Sequence, residues 1–193
     1  MPTDTKEKTL KLSLSMIQRR SFSSFSYDDI SRKLGVTKAA IHYHFESKAD
    51  LGMALCERIK KAMQDRYEQS LNGIRTRREH PWNFIENIIS TIGPGDNCPI
   101  SSLQADYENL PARLQEKIRE LSELQLELFR SLVREYAPRL RNEDFVVTAF
   151  LGIKGALLYR RILGQKFFVT SLQSIRKQFD SSLKEQTGAG KRK

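Results

Sequence analysis

Cysteine is scarce in this chain, with only Cys56 and Cys98 among 193 residues, far apart and in unrelated contexts. A disulfide framework needs more of them and a zinc site needs close repeats, so a reducing cytoplasmic setting is expected. Long apolar runs are missing too. The first twenty residues mix charged and apolar side chains, and nothing later approaches the roughly 20 apolar residues of a membrane span, so neither export signal nor membrane anchor is expected. His42 and His44 are two residues apart, cannot share a helix face, and have no cysteine or carboxylate to complete a metal set; no metal and no cofactor are expected. Glycine-rich phosphate loops and a Gly-x-Ser-x-Gly nucleophile turn are also absent, and with them the usual marks of an enzyme.

What is present fits a globular protein: 39% hydrophobic and 29% charged residues allow a real core at this length. The formal charge of +10 points to a polyanionic partner, either nucleic acid or an anionic surface. Residues 1–50 carry nine Lys/Arg against six Asp/Glu, so the excess is spread along the chain.

Apolar periodicity is helical almost throughout, which predicts an all-α fold. Leu10, Leu14 and Ile17 give a first helix over about 4–20. Ser26 reads as the N-cap of a second over 27–34, with Tyr27, Ile30 and Leu34 inward and Gly35 at its end. Thr37 caps a third over 38–44, and Ser47 caps a fourth that runs through Leu51, Leu55, Ile59 and Met63 toward residue 75.

Farther on, Trp82, Ile85, Ile88, Ile89 and Ile92 line one face until Gly93-Pro94-Gly95 breaks it. Ser101 or Ser102 is expected to cap a short helix ending near Leu110, and a long helix runs from Pro111 to Pro138. Asn142 caps the next. Residues 145–163 are apolar almost all the way round, which demands burial on more than one side. Ala149, Gly152, Gly155 and Ala156 permit close helix contact there, and Leu172, Ile175 and Phe179 form a stripe on a last helix. These seven residues are the expected homodimer interface. The expected domains are 1–50, 51–186 and a mobile basic tail, 187–193.

Helices two and three, joined through Leu34-Gly35-Val36-Thr37, have the length and glycine of a helix-turn-helix. At about 100° per residue, Ile41 and Phe45 point inward with His44 beside them, while Lys38, Ala39, His42 and Tyr43 share the opposite face. A small, basic and aromatic face suits the major groove: Ala39 lets the backbone come close, and Thr37, Lys38 and Tyr43 are candidate base or phosphate contacts.

Ser26-Tyr27-Asp28-Asp29-Ile30, followed by Gly35-Val36-Thr37-Lys38-Ala39-Ala40-Ile41-His42-Tyr43-His44-Phe45-Glu46-Ser47-Lys48-Ala49-Asp50-Leu51, resembles the signature of the TetR family of bacterial transcription regulators. The resemblance implies that Thr37 to His44 form the recognition helix. It further implies that Ser26 and Tyr27 lie near the DNA backbone and that Lys48 meets phosphate. The family most often has tyrosine at the position of His42, which replaces a phenol by an imidazole. It also implies a homodimeric repressor on a pseudo-palindromic double-stranded operator, released by a small-molecule inducer in the C-terminal domain.

Trp82, Ile85, Ile89, Tyr107, Leu128 and Phe129 are candidate walls of that ligand cavity, because cavities favour aromatic and apolar lining, and Cys98 is a further candidate ligand contact. Cys98 sits between a Gly-Pro-Gly break and a helix start, where backbone N–H groups lower a thiol pKa, so redox or electrophile sensing is an alternative. A different alternative is a basic helical interaction module without DNA sequence preference.

Overall fold

Gly35 sits at φ 65° and ψ 32°, a left-handed conformation that costs glycine little, and there the chain leaves one helix and turns into the next. The computed structural model describes residues 2–187, and among them the chain is all-α. Gly188 to Lys193 of the expected basic tail lie outside the described residues.

The helices are α1 (Pro2–Arg19), α2 (Tyr27–Leu34), α3 (Lys38–His42), α4 (Lys48–Arg77), α5 (Trp82–Ile89), α6 (Pro99–Gln104), α7 (Ala112–Tyr136) and α8 (Asp144–Thr187). Short 3₁₀ turns occur at Phe22–Ser24 and Tyr107–Asn109. α8 is one run only in name: Gly164 at φ 82° and ψ 179° breaks it into two limbs, as the change of pattern after Leu163 suggests. α6 begins at Pro99 rather than after Ser101 or Ser102, because proline at the first helical position lacks only an N–H that would be unpaired anyway. α5 stops at Ile89, three residues short of Ile92, and Gly93-Pro94-Gly95 follows.

Two compact units divide the chain, 1–62 with 97–122, and 63–96 with 123–193. The first therefore extends beyond residues 1–50 and takes in α6 and the start of α7. Two hydrogen bonds show why. The Asn97 N–H donates to the Gln18 carbonyl at 2.7 Å, and the Ser23 N–H donates to the Asp106 carboxylate at 2.9 Å, so both ends of the α6 segment are tied to α1 and the turn after it. Ile17, Phe22, Phe25, Ile30, Ile41, Phe45, Leu51 and Leu55 are buried in this unit. α4 passes closest where it has no side chain, since a Cβ on Gly52 would lie 2.7 Å from Leu114 and 3.0 Å from Phe22.

In the second unit Phe179 is the centre of an aromatic cluster, 5.4 Å from Trp82, 5.6 Å from Phe129 in a stacked arrangement, and 5.2 Å from Phe145. Offset and tilted rings at these separations attract beyond their area burial. Arg160, also buried, donates to the carbonyls of Gly93 (2.6 Å) and Asp96 (2.7 Å), so one guanidinium holds the loop that follows α5.

Candidate nucleic-acid interface

α2 starts in a reciprocal capping box: the Asp29 N–H donates to the Ser26 hydroxyl, and the Asp29 carboxylate accepts from the Ser26 N–H at 2.9 Å. That backbone bond holds the Asp29 carboxyl below its usual range. Thr37 caps α3 as its spacing predicts, its hydroxyl accepting from the Ala40 N–H at 3.1 Å. Ser47 and Asp50 repeat the reciprocal arrangement at the start of α4. The N-caps of α2, α3 and α4 are thus all three built from local side chains, which fixes where α3 begins and how it leaves.

Tyr27 anchors the motif from inside. It is buried, and its hydroxyl donates to the carbonyl oxygens of Ser47 (2.6 Å) and Phe45 (3.0 Å). Burial, with the Asp50 charge adding to it, pushes the phenol up to about 12. The inward position read from helical periodicity is the one observed, and the Tyr27 hydroxyl, expected near the DNA backbone, is engaged by two carbonyls of the fold.

Lys38, Ala39, His42 and Tyr43 are all exposed on the outer face of α3, with Tyr43 at 80%. Ile41 and Phe45 are buried behind them, and His44 is half-buried with its ring edge-on to Tyr43 and Phe45. The Lys38 ammonium meets the Asp28 carboxylate at 3.0 Å, an exposed pair that a phosphate can replace. His42 leans edge-on against the Tyr27 ring, 4.8 Å between centroids, and its Nδ1 lies 3.1 Å from the Glu46 carbonyl. A short helix that shows a cation, two ring edges and one methyl group, with its apolar side fixed, presents what a major groove and its flanking phosphates accept.

Residues 10–55 match the family of bacterial regulatory proteins, tetR family. The matched segment, with its helix-turn-helix, is a TetR-family domain. A curated relative, an uncharacterized HTH-type transcriptional regulator in the lacX 3' region of Lactococcus lactis subsp. lactis, is 26% identical over 139 residues, covering 67% of this chain and 68% of the relative. The fold is shared with a TetR transcriptional regulator from Legionella pneumophila (TM-score 0.75, 24% identity, 92% of this chain and 96% of the other). It is shared also with a TetR-family regulator from Agrobacterium tumefaciens (TM-score 0.73, 21% identity, 94% and 98%). That domain is of the DNA-binding, transcription-regulating kind, and no helix among the described residues is long and apolar enough to cross a membrane.

Within this TetR-family domain Lys48, the expected phosphate contact, packs against the turn after α1. Its ammonium donates to the Phe25 carbonyl and lies over the rings of Phe22 (5.0 Å) and Phe25 (4.6 Å). Burial lowers its pKa, opposed by the charges of Asp106 and Asp29. Lys48 therefore ties the turn after α1 to the start of α4. Ser26 stays at the surface, although its hydroxyl and N–H are committed to the Asp29 capping box.

The candidate ligand residues fall in two places. Trp82, Ile85, Leu128 and Phe129 are buried core of the second unit and Ile89 is half-buried there, whereas Cys98 and Tyr107 belong to the first unit. Two cavities of the second unit are lined by other residues: one by Gly152, Gly155, Tyr159, Phe167 and Ile175 among others, the second by Arg78, His80, Tyr136, Arg139, Asp180 and Lys184 among others.

Of the expected dimer residues, Ala149, Ala156 and Phe179 are buried within the chain's own core. Gly152, Gly155, Leu172 and Ile175 are half-exposed, and Gly152 lies against Ile175 of the same chain. On α8 the large apolar side chains that do reach solvent are Leu151 (61%), Leu158, Tyr159, Ile162 (85%), Leu163, Phe167 and Val169. Positions 151, 158 and 162 recur at helical spacing, a stripe that could be read from the sequence once Ala149 and Ala156 are assigned to the opposite side.

Proposed function

We propose that this TetR-family chain is a homodimeric repressor that reads a pseudo-palindromic operator with α3 and leaves it when an unidentified small molecule binds its C-terminal region. The observation that carries the reading is the outer face of α3, where Lys38, Ala39, His42 and Tyr43 stand exposed on a helix whose start is capped by Thr37 and whose back is fixed by Ile41 and Phe45. Lys38 serves phosphate or guanine, and the Tyr43 ring a thymine methyl.

Dimerisation is supported by the exposed apolar stripe on the two limbs of α8. Seven large apolar side chains in one stretch of 151–169 exceed what a monomer ordinarily leaves in water. A second copy is the occupant that family membership favours, and a two-fold pair sets its recognition helices about one DNA turn, roughly 34–36 Å, or a multiple of it apart.

The test is selection of duplexes from a random-sequence pool by the purified chain, followed by titration of the selected duplex and a scramble at several salt concentrations. Specific binding exceeds the scramble by roughly 10³-fold or more and falls steeply with salt. Lys38→Ala with Tyr43→Ala abolishes the preference. Equal affinity for both duplexes, with no sequence recovered by selection, would sink the reading and favour a charge-driven interaction module.

A further inference from the structure

The imidazole of His42 has one nitrogen already assigned. A backbone carbonyl only accepts, so the 3.1 Å contact between Nδ1 and the Glu46 carbonyl requires the hydrogen on Nδ1. The ring is held in that orientation by the edge-on Tyr27 phenol, itself buried and fixed by two carbonyls. In the neutral ring Nε2 is then a bare lone pair on an exposed residue of the α3 face. Phosphate oxygens are acceptors, and guanine N7 and O6, adenine N7 and thymine O4 are acceptors as well, so a lone pair at this position meets mostly lone pairs. One proton on Nε2 converts the same atom into a charged donor without moving the ring, and leaves the Nδ1 bond intact.

We propose that His42 binds DNA as the imidazolium, so that specific complex formation takes up one proton at Nε2 and operator affinity rises as pH falls through the neutral range. The assignment rests on α3 being the DNA-reading helix. The groups around His42 do not perform this titration themselves. On α2 the Tyr27 phenol is pushed up to about 12 and stays neutral, and Asp28 is paired with Lys38, which stands one helical turn before His42 on α3. On the following turn Glu46 supplies its backbone carbonyl, and on α4 the Asp50 carboxylate is engaged by Ser47 and Arg113 and held below its usual range. His44 is the other imidazole of the motif, half-buried between the Tyr43 and Phe45 rings, and serves as the internal control.

The experiment is titration of the full chain with a duplex it has selected from a random pool, and with a scramble, from pH 8.0 to 5.5 at constant ionic strength. The wild-type chain is expected to bind the selected duplex about threefold to tenfold more tightly at pH 6.0 than at pH 7.5. His42→Gln removes that gain and His44→Gln keeps it. His42→Arg, a permanent cation, binds at pH 7.5 as the wild type does at pH 6.0 and is flat in pH. Wild-type affinity that is flat in pH, a gain that survives in His42→Gln, or His42→Arg no tighter than His42→Gln at pH 7.5 overturns the assignment. Failure to prefer the selected duplex at any pH is a different result, and removes the DNA-reading role of α3 itself.

Discussion

The Tyr27 hydroxyl lies 2.6 Å from the Ser47 carbonyl, joining the first residue of α2 to the residue that caps α4. The whole helix-turn-helix is closed across this one bond, because α3 lies between its two ends in sequence. Removing the hydroxyl leaves two partly buried carbonyls without this donor, at a cost of about 1–3 kcal/mol. Tyr27→Phe is therefore expected to lower the thermal midpoint by several degrees while leaving helix content unchanged, as circular dichroism would show. Unchanged stability would mean that water replaces the phenol there.

The same phenol sets an alkaline limit. Its folded pKa of about 12 lies above the ordinary tyrosine value, so the fold favours the neutral form. A group whose folded pKa is raised contributes stability that is complete below its unfolded pKa and is lost as pH rises through the folded one. Stability should thus fall between about pH 10 and pH 12, with one of the six tyrosines ionising late in the ultraviolet titration. In Tyr27→Phe that late component disappears.

Local chemistry made much of this domain readable in advance. Ser26, Thr37 and Gly35 act through bonds or dihedrals within a few residues of themselves, so their roles follow from spacing. Lys48 and Phe179 do not: whether a lysine stem folds over two rings, or a stripe residue faces its own core or a second copy, depends on elements distant in sequence. Periodicity gives the faces of a helix, but not their partners. The 145–163 segment shows the consequence, since an apolar circumference hid both the buried Arg160 and the solvent-facing stripe at Leu151, Leu158 and Ile162.

That stripe gives a direct test of association. Ile162→Glu places a charge on the most exposed of the large apolar side chains, 85% of it in solvent. Sedimentation at micromolar concentration is expected to change from dimer to monomer, and affinity for a two-half-site duplex to fall by more than tenfold. A variant that sediments as the wild type does would place any interface elsewhere.

Both thiols are shut away. Burial pushes Cys56 up to about 12, and Cys98 is 3% exposed at the cap of α6. A thiol reacts as its thiolate and needs access, so an aromatic disulfide reagent should label neither residue in the native chain within minutes, and both in denaturant. Rapid native labelling of Cys98 alone, lost in Cys98→Ser, would instead support redox or electrophile sensing.

Arg160 provides the sharpest energetic prediction, because its charge is buried and its guanidinium is bonded to backbone carbonyls. It satisfies the Gly93 and Asp96 carbonyls, rests over the Phe168 ring at 4.8 Å, and its pKa is lowered by burial although the Asp96 charge opposes this. A cation bound mainly by carbonyl dipoles and a ring face can be replaced by a neutral side chain only if those carbonyls find other donors. In Arg160→Ala they have none from the side chain, and a void opens beside Phe168; the loss expected is about 2–4 kcal/mol. Arg160→Met keeps the stem packing but not the donors, so it should recover part of that loss, and the difference between the two variants separates packing from hydrogen bonding. Hydrogen exchange then distinguishes local from global effects. Amides of 93–97 should exchange faster in both variants, whereas those of α2 and α3 should keep their relative protection. Equal stability of Arg160→Met and the wild type would mean that the two carbonyl bonds contribute little net energy.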